Sequence, residues 1–406
     1  MKILFLTDNF PPEANAPASR TFAHCKEWVR LGASVTVITC VPNFPQGKVY
    51  AGYTNRPYQR EEMSGIEVIR VWSYMAANTG FARRILDYVS FAASSLVAGA
   101  FVTADVIVAT SPQFFTTLSG FGLSLGKRVP WVFELRDLWP ESIKAVSAVT
   151  NDRVLRSLEK LELFLYQRAD LIVAVSPAFK RNLVGRGVAP DKIEVITNGA
   201  DLDLFRPRPP DAALRDELGL AGKFVVGYVG THGMAHNLEG LVEACDQCTD
   251  PDTRFLLIGD GARKAAVEEV VARKKLHNVI LVAPVSKEEI ARYWSVIDVA
   301  LVPLRKDPVF TTVIPSKMFE AAAMGKPILL GVDGQARELV EQYSAGLCYE
   351  PDNAGDLLAK AVLLRRDRAL YQRLSENGRA FAAAYDRNAL ALRMYEQLQA
   401  LVEHVA

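Results

Sequence analysis

The sequence predicts an α/β protein of two similar lobes, each a doubly wound parallel sheet covered by helices. The chain has 406 residues, more than one hydrophobic core usually holds, and 50% of them are hydrophobic. Short apolar runs alternate with longer helical patterns, which is typical of parallel, helix-covered sheets. The alternation stops at the polar, proline-rich stretch 198–210 and then begins again. We therefore expect a linker there and two lobes that face each other across a cleft.

The apolar runs define the predicted strands. In the first lobe they are 2–7, 34–40, 105–110, 130–135, 170–175 and 192–196. In the second lobe they are 223–229, 253–258, 278–282, 298–303 and 326–331. The stretch 356–405 is almost wholly helical in pattern and long enough to return to the first lobe. We predict an N-terminal lobe at 1–200, a C-terminal lobe at 201–384 and a returning C-terminal helix at 385–406.

Composition argues against several classes of partner and cofactor. A net charge of +1 and a pI near 7.6 provide no overall attraction to nucleic acid, so any anion must be bound locally. The five cysteines are an odd, scattered set, as expected for reduced thiols. Cys245 and Cys248 have ligand-like spacing but no second pair, and packing in a helix explains them better than zinc or redox chemistry. We expect no metal and no cofactor.

The N-terminal residues and one apolar tract bear on location. No signal peptide precedes the run 2–7, so we expect the protein in the cytoplasm. The tract 85–102 contains Asp87 and Gly99 and falls short of a membrane span. A buried helix is the plain interpretation. The basic pair Arg83 and Arg84 before it also permits a helix that rests on an anionic membrane surface, as a peripheral contact.

The segment 313–328 is the most informative about function. Pro315 can open a helix, Ser316 and Lys317 follow it, and Glu320 lies near the first turn. Outward-pointing amides and a lysine suit a diphosphate, and a carboxylate one turn further on could accept two hydroxyl protons from a ribose. The alternative is an ordinary capped helix with a charged first turn.

Two glycine turns support a nucleotide in the same lobe. Gly230, Thr231, His232 and Gly233 follow the strand predicted at 223–229, and glycines there let backbone amides approach a phosphate closely. A second strand-to-helix turn contains Gly261, and Val285 follows the next predicted strand. We assign these residues to donor binding. The alternatives are tight strand exits and, for His232, a bystander.

Two cations could stabilise a departing diphosphate. Arg305 follows the strand predicted at 298–303, and Lys317 lies close behind it in sequence. Departure of a nucleoside diphosphate builds negative charge on the bridging oxygen, and cations already in place stabilise it without reorganisation. We assign Arg305 and Lys317 to both catalysis and donor binding. The alternative for Arg305 is a solvated loop end.

Charged residues also crowd one strand end of the first lobe. Arg136 and Asp137 follow the strand predicted at 130–135, and Trp139 and Glu141 lie just beyond. Asp137 could orient or deprotonate an acceptor hydroxyl, and Arg136 could hold it ionised. Asp137 could equally cap the next turn.

Acceptor binding is predicted for a further set of residues in this lobe, namely Asn15, Arg20, Trp139 and Glu141. The segment 42–58, rich in Pro, Gly, Tyr and Asn, is interpreted as an acceptor-side loop. Its alternative is plain disorder.

Taken together, the segments 32–39, 195–201, 258–261 and 315–327 resemble glycosyltransferase family 4. The resemblance covers essentially the whole chain. It implies the GT-B fold of two lobes and transfer of a sugar with retention of anomeric configuration. The segments 44–48, 137–142 and 315–317 resemble, more narrowly, the branch that builds bacterial surface polysaccharides and includes L-fucosamine transferases.

The resemblance carries over to the second lobe residue by residue. Glu320 matches the second glutamate of the family's E-x7-E motif, which implies contact with the ribose hydroxyls. The first glutamate is replaced by Thr312. Thr231 and Asn237 stand near the positions of the family's Arg/Lys phosphate pair, which leaves Arg305 and Lys317 as substitute cations.

The first lobe departs from the family pattern as well. It has Ala16, Pro17 and Ala18 where many members carry two glycines, and Arg136 where many have a histidine before Asp137.

The resulting expectation is a transferase of the hexosyl or N-acetylhexosaminyl type. Its donor would be UDP-linked, with an N-acetylated amino or deoxyamino sugar among the candidates. Its acceptor would be a lipid-linked or free saccharide in bacterial surface polysaccharide biosynthesis. Two alternatives stay open: a nucleotide-sugar epimerase of the same fold, and a non-catalytic two-lobed sugar-binding protein.

Overall fold

A computed structural model of the chain describes residues 1–13, 15–44, 47–75, 81–111, 113–138 and 152–405. These residues form two compact units. The first contains Met1–Thr197 with Arg387–Ala406, and the second contains Asn198–Asp386. Each unit has its own sheet with hydrophobic clusters packed on both faces, as expected for strands that are buried on both sides.

The first unit is built on an eight-stranded sheet. Its strands are β1 (Lys2–Leu6), β2 (Ser34–Cys40), β3 (Tyr58–Met63), β4 (Ile66–Val71), β5 (Val106–Thr110), β6 (Trp131–Leu135), β7 (Leu171–Ala174) and β8 (Ile193–Val195). The spatial order is β3-β4-β2-β1-β5-β6-β7-β8, and only β3 and β4 pair antiparallel. The helices that precede residue 198 in the described ranges are α1 (Ala16–Arg30), α2 (Phe81–Ala100), α3 (Phe114–Lys127), α4 (Asp152–Arg168) and α5 (Pro177–Gly185).

The second unit has a six-stranded, wholly parallel sheet. Its strands are β9 (Phe224–Val229), β10 (Thr253–Ile258), β11 (Val279–Val282), β12 (Val299–Pro303), β13 (Ile328–Gly331) and β14 (Gly346–Cys348). Its helices are α6 (Ala212–Glu217), α7 (Leu238–Cys245), α8 (Lys264–Lys274), α9 (Lys287–Val296), α10 (Lys317–Ala323), α11 (Gln335–Gln342), α12 (Ala354–Arg366) and α13 (Arg368–Ala384). Short 3-10 turns at Pro190–Lys192, Met234–His236 and Pro308–Thr312 complete the two units.

The last helix, α14 (Arg387–Val405), returns to the first unit and packs on α1. Leu390, Met394 and Leu398 are buried there, and the Trp28 indole N–H donates to the Ala391 carbonyl over 2.9 Å. Apolar side chains three to four residues apart lie on one face of a helix, which is why this stretch can cover the sheet.

Strand order determines where each sheet offers a ligand site. In the second unit it is β11-β10-β9-β12-β13-β14. From β9 the next strands are added towards one edge of the sheet, and from β12 they are added towards the other edge, so the order of addition reverses between β9 and β12. Loops leave the carboxyl ends of these two strands on opposite faces, and ligands of open parallel sheets bind in the crevice between them. The corresponding reversal in the first unit lies between β1 and β5.

The sequence missed three strands. The β3–β4 hairpin alternates exposed and partly buried residues along Tyr58–Met63, so its charged outer strand lacks the apolar run that predicts a buried strand. The third, Gly346–Cys348, is too short to carry a pattern. The helix expected to open at Pro315 begins instead at Lys317, with Ser316 at the N-cap. None of the helices in the described ranges combines the length and the apolar character that crossing a membrane would require.

Candidate active site

Lys317 and Tyr228 form the centre of the crevice in the second unit. Tyr228 is the penultimate residue of β9, and Lys317 is the first residue of α10. The Lys317 Nζ lies 3.7 Å from the centroid of the tyrosine ring and is buried with no hydrogen-bond partner among the described residues. Burial lowers the pKa of Lys317 to about 7, and the nearby Glu320 carboxylate opposes that shift.

His232 lies beside this pair, fully buried in the loop after β9. Its ring centroid is 5.8 Å from that of Tyr228, and both ring nitrogens lack a partner among the described residues. Burial, reinforced by Lys264 and Lys317, lowers its pKa to about 4 against the pull of Asp260 and Glu239. The imidazole is therefore neutral at pH 7.

His236 approaches Tyr228 from the following 3-10 turn, with ring centroids again 5.8 Å apart. Its Nδ1 is buried without a hydrogen-bond partner in the described part of the chain. Burial, then Lys317, lowers its pKa to about 3. We name Tyr228, His232, His236 and Lys317 the basic cluster.

Two glycines make the approach of these groups possible. A Cβ on Gly261, where φ is +156°, would lie 2.6 Å from the His232 carbonyl oxygen. A Cβ on Gly230, where φ is +143°, would lie 3.0 Å from the Lys317 Nζ. Only glycine fits both the backbone conformation and the space, so the two turns that the sequence suggested for phosphate approach also hold the basic cluster together.

The start of α10 places the other predicted donor residues. Ser316 has helical dihedral angles and makes no side-chain cap, and Glu320 lies in the first turn. Thr312, which replaces the family's first glutamate, lies in the preceding 3-10 turn, where its hydroxyl donates to the Val309 carbonyl over 3.2 Å. The structure thus brings Lys317 and Glu320 to one turn, next to His232.

The remaining donor predictions lie around this centre. Arg305 is exposed, and its backbone N–H donates to the Ala235 carbonyl over 2.8 Å. Thr231 is exposed and accepts the Tyr228 hydroxyl proton on its carbonyl over 2.6 Å. Val285 is half-buried and packs against the core, and Gly233 accepts the His236 N–H on its carbonyl. Their donor roles stay predictions.

Asn237 points elsewhere, because its backbone is left-handed, with φ +46°, and its amide donates to the Asp352 carboxylate over 2.7 Å. The side chain that faces Lys317 is that of the preceding residue, His236. Sequence reasoning missed both His236 and Tyr228. The signal for His236 was its place next to a position where the family carries a cation.

In the first unit, Arg20 and Glu134 form a buried ion pair, with Arg20 Nε 2.9 Å from the carboxylate. Arg20 also donates to the carbonyls of Thr197 and Ile196. The arginines lower the pKa of Glu134 against the opposing effect of its burial. Arg20 was predicted to bind the acceptor, and that role stays a prediction. Its contacts with Glu134, Thr197 and Ile196 tie α1 to the end of β8 and to β6.

Further buried charged groups lie near the ends of β1 and β6, among them Arg136, Asp8 and Glu13. Burial lowers the pKa of Arg136 to about 10, and its Nη1 donates to the Pro17 carbonyl over 3.2 Å. Asp8 follows β1, and burial raises its pKa to about 6, opposed by Arg136 among other groups. Burial also raises the pKa of Glu13 to about 7. Neither Asp8 nor Glu13 was predicted, since both precede α1 in an irregular, proline-rich stretch.

The other residues predicted in the first lobe are placed as follows, and their acceptor or catalytic roles stay predictions. Asn15 caps α1 by accepting the Ala18 N–H over 2.9 Å, and its amide donates to Asn9. Asp137 is half-buried just after β6. Trp139 and Glu141 lie outside the described residues.

Within the described residues, no group of three or more His, Cys, Asp or Glu side chains could hold a metal ion.

Comparisons with known proteins agree with this architecture. The Glycosyl transferase 4-like domain model matches residues 16–199, and the Glycosyl transferases group 1 model matches residues 211–381. Among solved structures, sucrose-phosphate synthase from Thermosynechococcus elongatus superposes with a TM-score of 0.77 at 22% identity, over 98% of this chain and 99% of that one. Anabaena HepE in complex with UDP and glucose gives 0.74 at 22% identity, over 98% and 100%.

Fold and matched domains together define a GT-B glycosyltransferase. The chain belongs to glycosyltransferase family 4. Among its relatives is WcaI of Escherichia coli (strain K12), named for colanic acid biosynthesis, which is 25% identical over 393 residues, 93% of this chain and 96% of WcaI. TuaH of Bacillus subtilis (strain 168), named for teichuronic acid biosynthesis, is 28% identical over 222 residues, 52% of this chain and 53% of TuaH. The family and fold predicted from the sequence are confirmed.

Proposed function

We propose that this glycosyltransferase moves a sugar from a UDP-linked donor to a lipid-linked saccharide acceptor, with retention of configuration, in the biosynthesis of a bacterial surface polysaccharide such as O-antigen or capsule. The observation that carries the donor part is the basic cluster at the strand reversal of the second unit. It presents buried nitrogen atoms without partners, which an anionic ligand would satisfy.

The relatives support the biological setting and the nucleotide. WcaI and TuaH are named for the biosynthesis of two bacterial polysaccharides. HepE was solved with UDP and with UDP-glucose. On this basis we propose a UDP-linked donor and a polysaccharide product for the present chain. The transferred group is a hexosyl or N-acetylhexosaminyl group, with an N-acetylated amino or deoxyamino sugar among the candidate donors.

In this proposal each donor residue has one task. Lys317 contacts the diphosphate and stabilises the charge that builds as the nucleotide departs, and Arg305 adds a second cation from the end of β12. Glu320 accepts the ribose hydroxyl protons, and the glycine turns let backbone amides approach the phosphates. The residues after β6, Arg136 and Asp137, contribute to the acceptor side. In this proposal the cations and backbone amides of the protein meet the charge of the diphosphate, and no metal or cofactor is invoked.

Calorimetric titration with UDP, GDP, ADP and NAD tests the donor assignment. We expect UDP to bind selectively and Glu320→Ala to weaken it by about tenfold or more, since a charge-assisted hydrogen bond contributes about 1.5 to 3 kcal/mol. Glu338→Ala, on the exposed side of α11, is the matched control and should leave UDP affinity unchanged. Binding of NAD alone, or unchanged UDP affinity in a folded Glu320→Ala protein, would contradict the assignment.

Turnover distinguishes the transferase from the epimerase alternative. We expect UDP release from a UDP-sugar to require a saccharide acceptor. Release at the same rate without any acceptor would indicate an epimerase, and binding without turnover on any acceptor would indicate a sugar-binding protein.

Helix α2 supports a peripheral membrane contact. Its exposed apolar residues recur at helical spacing and form one stripe that runs on to the residue just after the helix, Phe101, which is 86% exposed. The stripe consists of Leu86, Val89, Leu96, Val97 and Phe101. The exposed Arg83 lies at its N-terminal end. An apolar stripe beside a cation suits a helix lying on an anionic lipid surface, where a lipid-linked acceptor would be found.

Vesicle sedimentation tests this contact. We expect the protein to bind vesicles with anionic lipid and the double variant Val97→Asp with Phe101→Asp to lose binding while it keeps UDP affinity. Leu363→Asp, at an exposed apolar position of α12, is the control and should leave binding unchanged. Equal sedimentation of the double variant and the unaltered protein would rule out this surface.

A further inference from the structure

The basic cluster carries an unusual number of polar atoms without partners. Both ring nitrogens of His232, the Nδ1 of His236 and the Nζ of Lys317 are buried and form no hydrogen bond with any described residue. Buried polar groups are nearly always paired, because each unpaired one costs about 1 to 3 kcal/mol. Several such atoms around one tyrosine ring indicate a receptor for an absent ligand.

We propose that His232, His236 and Lys317 form a receptor whose histidines stay neutral and whose lysine takes up a proton from solvent when the site binds the diphosphate of the donor above neutral pH. This inference rests on the proposed function and deepens it by adding His236 to the site and by making donor recognition depend on a proton. A site with two permanent cations would need no such step.

The geometry explains why the empty receptor avoids charge. All three side chains pack around Tyr228, with the ammonium 3.7 Å from the ring centroid and both imidazole centroids 5.8 Å from it. A second full positive charge beside the first would be repelled at this short range, as the effect of Lys317 on both histidines shows. The histidines therefore serve as neutral N–H donors, and Lys317 is the group that changes its charge.

The charged groups that surround the cluster come from several elements. Glu320 on α10 favours the protonated lysine. Lys264 on α8 disfavours positive charge on His232, while Asp260 after β10 and Glu239 on α7 favour it. Without a ligand the burial of Lys317 is the larger effect, and its pKa lies near 7. A diphosphate against Nζ would raise that pKa towards the ordinary value of lysine.

Binding of the nucleotide changes the protonation of Lys317. At about pH 8 the empty site holds Lys317 mostly as the neutral amine, and the nucleotide complex holds it as the ammonium. The proton that Nζ gains comes from the buffer. UDP affinity should therefore fall by up to about tenfold per pH unit as pH rises above 7. Below about pH 6 the lysine is already protonated, so its contribution to the pH dependence ends there, and protonation of the terminal phosphate of UDP, whose pKa is about 6, then weakens binding instead.

Titration calorimetry with UDP at about pH 8, in buffers of different ionisation enthalpy, measures this uptake. We expect roughly one proton per UDP bound by the unaltered protein. Lys317→Arg keeps the charge but cannot lose it near neutral pH, so its uptake should fall to nearly zero while UDP still binds. His236→Gln should bind UDP several-fold more weakly and keep the uptake, because the histidine contributes a hydrogen bond and not the proton.

The outcomes separate the two levels of proposal. UDP binding by the unaltered protein with no proton uptake would overturn the receptor inference and leave the donor assignment standing. Failure of UDP and the other nucleotides to bind at all would overturn the proposed function itself. The unaltered protein alone decides both questions, so a poorly folded Lys317→Arg would not weaken the test.

Discussion

The ammonium of Lys317 lies 3.7 Å from the centre of the Tyr228 ring, on a side chain that has no hydrogen-bond acceptor among the described residues. A cation–π contact of this kind contributes about 1 to 2 kcal/mol when desolvated, which is less than the cost of burying an unpaired charge. The lowered pKa of Lys317 reflects that imbalance. The protein thus keeps a destabilising group where the proposed donor needs it.

Lys317→Met should therefore weaken UDP binding without lowering the stability of the fold. Methionine fills a similar volume without a polar atom, so we expect the free energy of unfolding at neutral pH to stay the same or to rise by about 1 kcal/mol. UDP affinity should fall by about tenfold to a hundredfold because a charge-assisted contact is lost. Urea unfolding and calorimetry measure the two effects.

The matched control is Lys274→Met, which removes a partly exposed lysine paired with the exposed Asp246. Surface ion pairs contribute little, so neither stability nor UDP affinity should change appreciably. A marked loss of stability in Lys317→Met would show that the lysine is structural.

Gly261→Ala should lower both stability and UDP affinity, because the new side chain collides with the backbone of the His232 loop. The new Cβ would lie 2.6 Å from the His232 carbonyl oxygen at a φ of +156°. We expect a loss of about 1 to 3 kcal/mol in the free energy of unfolding and weaker UDP binding, since the His232 loop must move. Gly355→Ala, in the exposed first turn of α12 and 3.6 Å from the nearest atom, should instead be neutral or slightly stabilising. Equal stabilities for the two variants would contradict the close packing.

Glu13 should make the first unit less stable as the pH rises. Its carboxylate accepts the N–H groups of Asn43 and Phe44 at 2.8 Å each, and burial raises its pKa from 4.5 to about 7. The folded state therefore binds more protons than the unfolded state between those values, so stability present below pH 4.5 is lost as the pH rises through 7.

Glu13→Gln removes this titration and keeps an oxygen for both N–H groups. We expect it to match the unaltered protein near pH 4 and to be more stable by up to about 3 kcal/mol near pH 8. Urea unfolding at both pH values measures the difference. A difference that does not change with pH would mean that Glu13 is not the titrating group.

The buried pair of Arg20 and Glu134 should be sensitive to loss of either partner. Glu134→Leu leaves a buried guanidinium without its carboxylate, which costs about 3 to 5 kcal/mol. The double variant Arg20→Leu with Glu134→Leu should recover part of that loss, because no charge is then unpaired. Glu243→Leu, which breaks the exposed pair with Arg273, should cost less than about 1 kcal/mol. A double variant no more stable than the single one would show that other groups compensate Arg20.

The strands could be predicted where burial on both faces leaves a continuous apolar run. The run at Ser34–Cys40 was predicted with its observed bounds, and so was the one at Thr253–Ile258. The outer strand Tyr58–Met63 could not be found in this way, because one side of an edge strand faces solvent and its pairing comes from the partner strand. Local pattern thus identified most interior strands and missed this edge strand. The interior strand Ile66–Val71 was missed as well, because Glu67 and Arg70 interrupt its apolar run.

The site could be predicted only in part. Lys317 and Glu320 stand in one recognisable segment, and the glycine turns follow recognisable strands. Tyr228 looked like another buried strand residue, and His236 looked like a loop residue, until the fold placed both rings against Lys317. Asn237, which stands near the position of one of the family's missing phosphate-binding cations, bonds Asp352.

The sequence by itself determined the fold class, the family and the segment that starts α10, because apolar periodicity and turn residues act over a few neighbouring positions. Only the tertiary structure decided the protonation of the site. The pKa of Lys317 depends on burial by β9 and the following loop, and that of Glu13 on burial near residues 43 and 44. Those neighbours are distant in sequence, and desolvation is a property of the packed environment that no local pattern contains.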